Sequence, residues 1–169
     1  MNLSARQFQQ ANLAEDIHKV LEETGLDPQL LDLEITEGSA MKNPESTIRT
    51  LEALKRLGVS VAIDDFGVGY SSLNYLKRFP IDIIKLDQSF VRDLAFDRGD
   101  RAIASAVIAL AHSFGLTVIA EGVENAEQLA ILQEQGCNHM QGFFFSPPLS
   151  AKEFTAAVAN GFTTAQTQV

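Results

Sequence analysis

Two adjacent carboxylates, Asp64 and Asp65, follow the apolar run Val61-Ala62-Ile63 and precede a loop containing Phe66, Gly67 and Gly69 and the pair Ser71-Ser72. Ionised side by side they repel, and burying either without a counter-charge costs several kcal/mol. At the mouth of a strand that pattern points to a cation. Four further apolar runs end in residues that can bind or polarise: Glu34, Lys85 with Asp87, Glu121 and Gln141. Each taken alone reads most simply as a cap for the helix that follows. Five in succession, with an Asp pair and a lysine among them, point to one shared site.

The donor set defines the chemistry. Oxygen ligands without histidine or cysteine suit Mg2+ or Mn2+ better than Zn2+. Asp64 and Asp65 together could serve two cations, one carboxylate bridging them, which is the arrangement used for in-line displacement at phosphorus. Lys85 would stabilise the attacking oxygen or a phosphoryl oxygen. The three histidines, His18, His112 and His139, show no ligand spacing and read as structural. The single cysteine, Cys137, reads as a small semi-buried residue after a helix.

Positioning these groups requires strands that alternate with helices. Ser4-Ala5-Arg6-Gln7 matches a capping box, and Leu13, Ile17, Val20 and Leu21 continue at helical spacing to Gly25. Leu30 to Thr36 reads as a strand ending near Glu34, and a helix from Asn43 to Leu57 stops at Gly58. After the Asp64-Asp65 strand comes a short helix to Phe79, then a strand from Ile81 to Asp87. A helix through Ala102 to Phe114, a strand Leu116 to Glu121 and a helix Asn125 to Gln135 follow. His139 to Phe145 reads as the last strand, and a capping box at Ser150 opens a helix with Phe154 and Val158 facing inward. Met1 to Ser4 reads as the end of one more strand. The strands are near-continuous apolar runs, so both sheet faces should be covered, as in a parallel α/β fold. One domain is expected over residues 1–160, with a polar, frayed tail over 161–169.

The bulk properties narrow the partners. With 169 residues, 46% hydrophobic and 21% charged, the chain can bury a core of its own. A formal charge of −9 argues against duplex nucleic acid or anionic lipid as a non-specific partner. No apolar run approaches the length of a membrane span, no signal peptide is expected at Met1, and one cysteine fits a reducing, cytoplasmic setting.

The chain resembles the EAL-domain family of bacterial cyclic-di-GMP phosphodiesterases. The matching segments are Asn2-Leu3-Ser4, Leu33-Glu34-Ile35-Thr36-Glu37, Asp64 through Leu73, Lys85-Leu86-Asp87, Ala120-Glu121-Gly122-Val123-Glu124 and Gln141-Gly142-Phe143. The resemblance implies a modified TIM barrel that linearises cyclic-di-GMP to pGpG with two divalent cations, Mg2+ or Mn2+. It assigns Asn2, Glu34 and Asp64 to the first metal and Asp64 and Asp65 to the second. Glu121 would be a ligand or the general base, and Lys85 would orient the nucleophilic water. Gln141 and Asp87 would support the site, with Glu124 grouped beside them. Glu37 would brace the Asp65–Ser72 loop, which the family couples to a homodimer interface.

Members of that family carry further strands upstream, including the Glu-Ala-Leu segment, so roughly the first third of the usual domain has no counterpart here. Gly38 and Val68 also stand where Ser and Thr are more usual. The expectation is an incomplete parallel barrel with about six of eight strands and two open edges, marginal in stability or oligomeric. The alternative to catalysis is a non-catalytic module that binds the dinucleotide or a protein partner.

Overall fold

The computed structural model describes residues 1–69 and 73–160. Tyr70, Ser71 and Ser72 of the expected loop and the 161–169 tail lie outside the described residues. Among the described residues, five parallel strands form one sheet in the order β1-β2-β3-β4-β5: β1 Asp32–Thr36, β2 Ser60–Phe66, β3 Ile83–Leu86, β4 Thr117–Ala120 and β5 His139–Met140. Every connection steps to the next strand without reversal, which is the winding of a TIM-like barrel rather than of a doubly wound sheet. The fold is an arc of such a barrel. The sixth expected strand is reduced to one parallel bridge, Asn2 with Glu34, on the outer edge of β1.

The helices are α1 Ala5–Phe8, α2 Leu13–Thr24, α3 Glu37–Met41, α4 Pro44–Arg56, α5 Leu73–Leu76, α6 Gln88–Arg92, α7 Arg98–Ser113, α8 Ala126–Glu134 and α9 Ala151–Asn160. α4 packs against β2, and α7 against β3 and β4. Their buried residues, Leu51 and Leu54 on α4 and Ala104, Ile108 and Ala111 on α7, close over Val61, Ile63, Ile84, Leu86 and Val118. This convex face holds the core.

The other face differs from the expectation of a sheet covered on both sides. Exposure alternates along β1 and β4, so that Leu33 and Ile35 are buried while Asp32, Glu34 and Thr36 are not. Successive side chains of a strand point to opposite faces, so these residues line the concave side. Glu34, Asp64, Lys85, Glu121 and Gln141 share the parity that faces it.

Four other expectations change. The first helix is two: the capping box at Ser4 holds only α1, and α2 starts afresh at Leu13. The strand expected from Leu30 begins at Asp32, because Asp27 caps a short 3-10 turn over Pro28–Leu30. The strand expected to reach Phe145 stops at Met140. Beyond it Gly142 lies so close to the Val123 backbone that a β-carbon would collide with it, and Val123 N and Phe144 N bond across that contact to Gln141 O and Val123 O. Phe154 and Val158, expected inward, are 53% and 57% exposed. Cys137 is buried, its thiol donating to His139 O at 3.3 Å, and burial pushes its pKa up against the opposing backbone hydrogen bonds.

At the N-terminal ends of the strands, Lys55 Nζ lies 2.8 Å from both Asp82 carboxylate oxygens and donates to Val59 O at 3.1 Å. Val61 N donates to Asp82 Oδ2 at 2.8 Å, and Thr117 N to Asp82 O at 2.9 Å. One aspartate thus ties α4 to the starts of β2, β3 and β4. The chemistry-bearing groups gather at the opposite end.

Candidate active site

Lys85 is the centre of the C-terminal face. Its position on β3 puts β2 on one side and β4 on the other. Its side chain is 7% exposed, and Nζ lies 2.7 Å from Glu34 Oε2, 3.2 Å from Asp64 Oδ1 and 2.6 Å from Glu121 Oε1. Burial alone would lower its pKa. Hydrogen bonds to Glu121 and Glu34 and the charges of Glu121 and Asp64 outweigh that, so the ammonium is held above its ordinary value. Lys85 is protonated at any physiological pH.

The carboxylates outnumber it. Glu34, Asp64, Asp65 and Glu121 face one ammonium, a surplus of three negative charges if all are ionised. Glu121 is pushed above the usual carboxylate range, first by burial and then by Asp64 and Glu34, with Lys85 opposing. Asp65 is also raised, by burial and by the charges of Asp64 and Asp87. An uncompensated acidic cluster resists full ionisation, and a bound cation removes that resistance. Oxygens of Asp64, Asp65 and Glu121 all lie within 4.8 Å of one another, and this metal-capable group contains no histidine or cysteine. Such a donor set fits a hard divalent cation.

Local structure holds each group in place. Asp65 has φ +54, a left-handed conformation uncommon outside glycine, and its N–H donates to Asp64 Oδ1 at 3.1 Å. That turn brings the second carboxylate beside the first, although they are neighbours on a strand. Glu37, 2% exposed at the start of α3, accepts from Gly67 N at 2.9 Å and Gly69 N at 3.4 Å. A β-carbon on Gly69 would lie 2.8 Å from Glu37 Oε1, and one on Gly67 2.9 Å from the Phe90 ring. Phe66 ends β2, buried.

The remaining expected residues fall around this centre. Asn2 stands beside Glu34 through its bridge, where Leu3 N donates to Glu34 O at 2.8 Å and Glu34 N to Met1 O at 2.9 Å. Gln141 Nε2 donates to Glu121 Oε1 at 2.7 Å. Asp87 caps α6, accepting from Ser89 N at 2.9 Å. Glu124 is exposed and, with Glu121, Gln141, Phe143 and Pro147, lines a groove running from the acidic centre.

Two residues around the site were not singled out from sequence. Phe90 packs against Gly67. Gln128, 2% exposed, bonds to the loop after β4 and to the end of α6. The spacing Asn125-x-x-Gln128 is itself a legible capping box.

A family model described as the EAL domain matches residues 1–148. The chain is 47% identical over 149 residues to the cyclic di-GMP phosphodiesterase NbdA of Pseudomonas aeruginosa, covering 88% of this chain and 19% of NbdA. It is 44% identical over 159 residues to the bifunctional diguanylate cyclase/cyclic di-GMP phosphodiesterase MucR of the same organism, covering 94% of this chain and 23% of MucR. The chain thus spans about a fifth of the length of these curated relatives. The solved c-di-GMP complex of the MucR phosphodiesterase aligns with a TM-score of 0.88 at 44% identity, over 90% of this chain and 62% of that one. A manganese/cy-diGMP complex of BlrP1 from Klebsiella pneumoniae aligns with a TM-score of 0.81 at 36% identity, over 88% of this chain and 38% of that one.

Proposed function

From the premise that this chain belongs to the EAL-domain family, we propose that it carries the centre of a metal-dependent phosphodiesterase that opens cyclic-di-GMP to linear pGpG in the cytoplasm. The observation that carries the reading is the convergence of Glu34, Asp64 and Glu121 on Lys85, with Asp65 turned in beside them. Asn2, Glu34 and Asp64 would hold one Mg2+ or Mn2+, and Asp64 with Asp65 a second, Asp64 bridging. Bound there, divalent cations would supply Lewis acidity toward phosphoryl oxygens and lower the pKa of the attacking water.

The chain's own groups divide the rest of the work. Lys85 orients the water and stabilises developing charge on oxygen. Glu121, with its raised pKa, serves as ligand or as the base that takes the water's proton. Gln141 fixes the Glu121 carboxylate through its 2.7 Å hydrogen bond. Asp87 supports the site from the start of α6, where it accepts from Ser89 N, and Glu124 lines the substrate groove. Glu37 holds the Asp65–Ser72 loop from its near end. That loop contains the exposed apolar residue Val68 and is followed by Leu73, also exposed, and the pair suits a homodimer contact.

The test is hydrolysis of cyclic-di-GMP with Mg2+ or Mn2+, following pGpG, against an Asp64→Ala control. Rates equal to the control would remove the catalytic reading. Tight cyclic-di-GMP binding without pGpG would replace it with the non-catalytic dinucleotide-binding module. Sedimentation of the wild type and a Val68→Asp variant tests the dimer.

A further inference from the structure

Gln128 lies on α8, outside the acidic centre, and is almost fully buried. Its Oε1 accepts from Glu124 N at 2.7 Å and Asn125 N at 3.2 Å, and its Nε2 donates to Arg92 O at 3.0 Å. Its own N–H donates to Asn125 Oδ1 at 2.9 Å. The side chain therefore exceeds a capping box, because its donor end reaches the last residue of α6. That helix touches both active-site loops. Its Phe90 ring fills the space above Gly67, and its Gln88 leaves no room for a β-carbon on Gly122, which would lie 2.6 Å from Gln88 Cβ. Gly122 follows Glu121 directly and has φ +71.

We infer that Gln128 is a positioning residue: it locks the Glu121–Asn125 loop to α6 and so sets Glu121 opposite Asp64 and Lys85. The chemistry requires an amide. One end must accept two backbone N–H groups and the other must donate to a carbonyl, and at neutral pH the uncharged amide of Asn or Gln is the side chain that puts a two-bond acceptor and a donor on separate atoms. A glutamate keeps the acceptor and sets an oxygen against Arg92 O. A leucine leaves two partly buried N–H groups and one partly buried carbonyl without the partner that Gln128 supplies. The inference rests on the proposed metal centre for its functional consequence, but not for the geometry.

The experiment compares Gln128→Leu, Gln128→Glu and Leu132→Ala, the last a core truncation on the same helix that serves as a control for general destabilisation. Amide hydrogen exchange reads the loop directly, and Mn2+ titration followed by electron paramagnetic resonance reads the site. In Gln128→Leu the amides of Glu124 and Asn125 should exchange about tenfold faster than in Leu132→Ala under conditions of equal global stability, and Mn2+ affinity should fall about tenfold. Gln128→Glu should recover protection at Glu124 and Asn125. Loop exchange and Mn2+ affinity in Gln128→Leu matching those of Leu132→Ala would overturn the inference. A wild-type protein that binds no Mn2+ would sink the metal reading alone, and the exchange at Glu124 and Asn125 would still decide the role of Gln128.

Discussion

Lys85 Nζ lies 2.6 Å from Glu121 Oε1, and that same oxygen accepts from Gln141 Nε2 at 2.7 Å. One carboxylate on the loop after β4 is thereby fixed by donors from β3 and from just beyond β5. A group pinned from two sides is pre-organised, so little reorganisation is left to the moment of reaction. The same pinning gathers negative charge around one ammonium, and the balance between these effects governs how the protein responds to pH and to metal.

Glu121→Gln should raise the urea midpoint at pH 7 in chelator. The carboxyl of Glu121 has a folded-state pKa above its ordinary value, burial being the largest cause. Such a group binds its proton more readily folded than unfolded, so stability rises as pH falls through the folded pKa, and the ionised form costs stability at pH 7. Glutamine mimics the protonated form and still accepts from Lys85. The advantage of the variant should shrink as pH is lowered toward the ordinary carboxylate range, about 4. In excess Mn2+ the order should reverse. A midpoint at pH 7 in chelator below that of the wild type would contradict this account.

Divalent metal should stabilise the wild type by mass action, about 2.7 kcal/mol at a hundred times the dissociation constant. Asp64→Asn removes the carboxylate proposed to serve both cations and should abolish most of that gain. Thermal melts across a Mn2+ series, with and without the substitution, give the answer. A shift that survives Asp64→Asn would place the ion elsewhere.

Glu37→Ala should release the Asp65 loop. Its buried carboxylate holds two backbone N–H groups at Gly67 and Gly69, and leaving them unpaired costs about 2 kcal/mol. Exchange of the Gly67 and Gly69 amides should accelerate more than that of the core strands, and Mn2+ affinity should fall with it. Uniform acceleration across β1 to β4 would instead make Glu37 a general stabiliser.

The strand-end residues were legible because each closes an apolar run, and the alternation of a strand then puts them on one face. What the runs do not encode is that Lys85 sits between three of those carboxylates: that depends on β3 lying between β2 and β4, a matter of sheet order. α3 and α6 are five residues each, too short for a helical period to register, and only their caps, Thr36 and Asp87, mark them. Phe154 and Val158 show the opposite case. Periodicity identified an apolar stripe on α9, but a stripe does not say what covers it, and both residues are more than half exposed. Gln128 was hidden because a capping box looks local, while its contact with Arg92 spans 36 residues.

Asp82→Ala should separate stability from function. The aspartate accepts from Lys55 Nζ and Val61 N at the N-terminal ends of the strands, the face opposite the acidic centre, and Lys55 Nζ also donates to Val59 O. Its ion pair is partly exposed, so solvent screening limits what the Coulomb term contributes. The lost hydrogen bond at Val61 N adds to it, and the expected cost is about 1–2 kcal/mol by urea denaturation. Mn2+ affinity and the rate of pGpG formation, measured well below the new midpoint, should stay within about twofold of the wild type, as the division of a barrel into a stabilising end and a reactive end requires. A large loss of Mn2+ affinity in a variant that remains folded would show that strand register, set at one end of the sheet, governs the spacing of the carboxylates at the other.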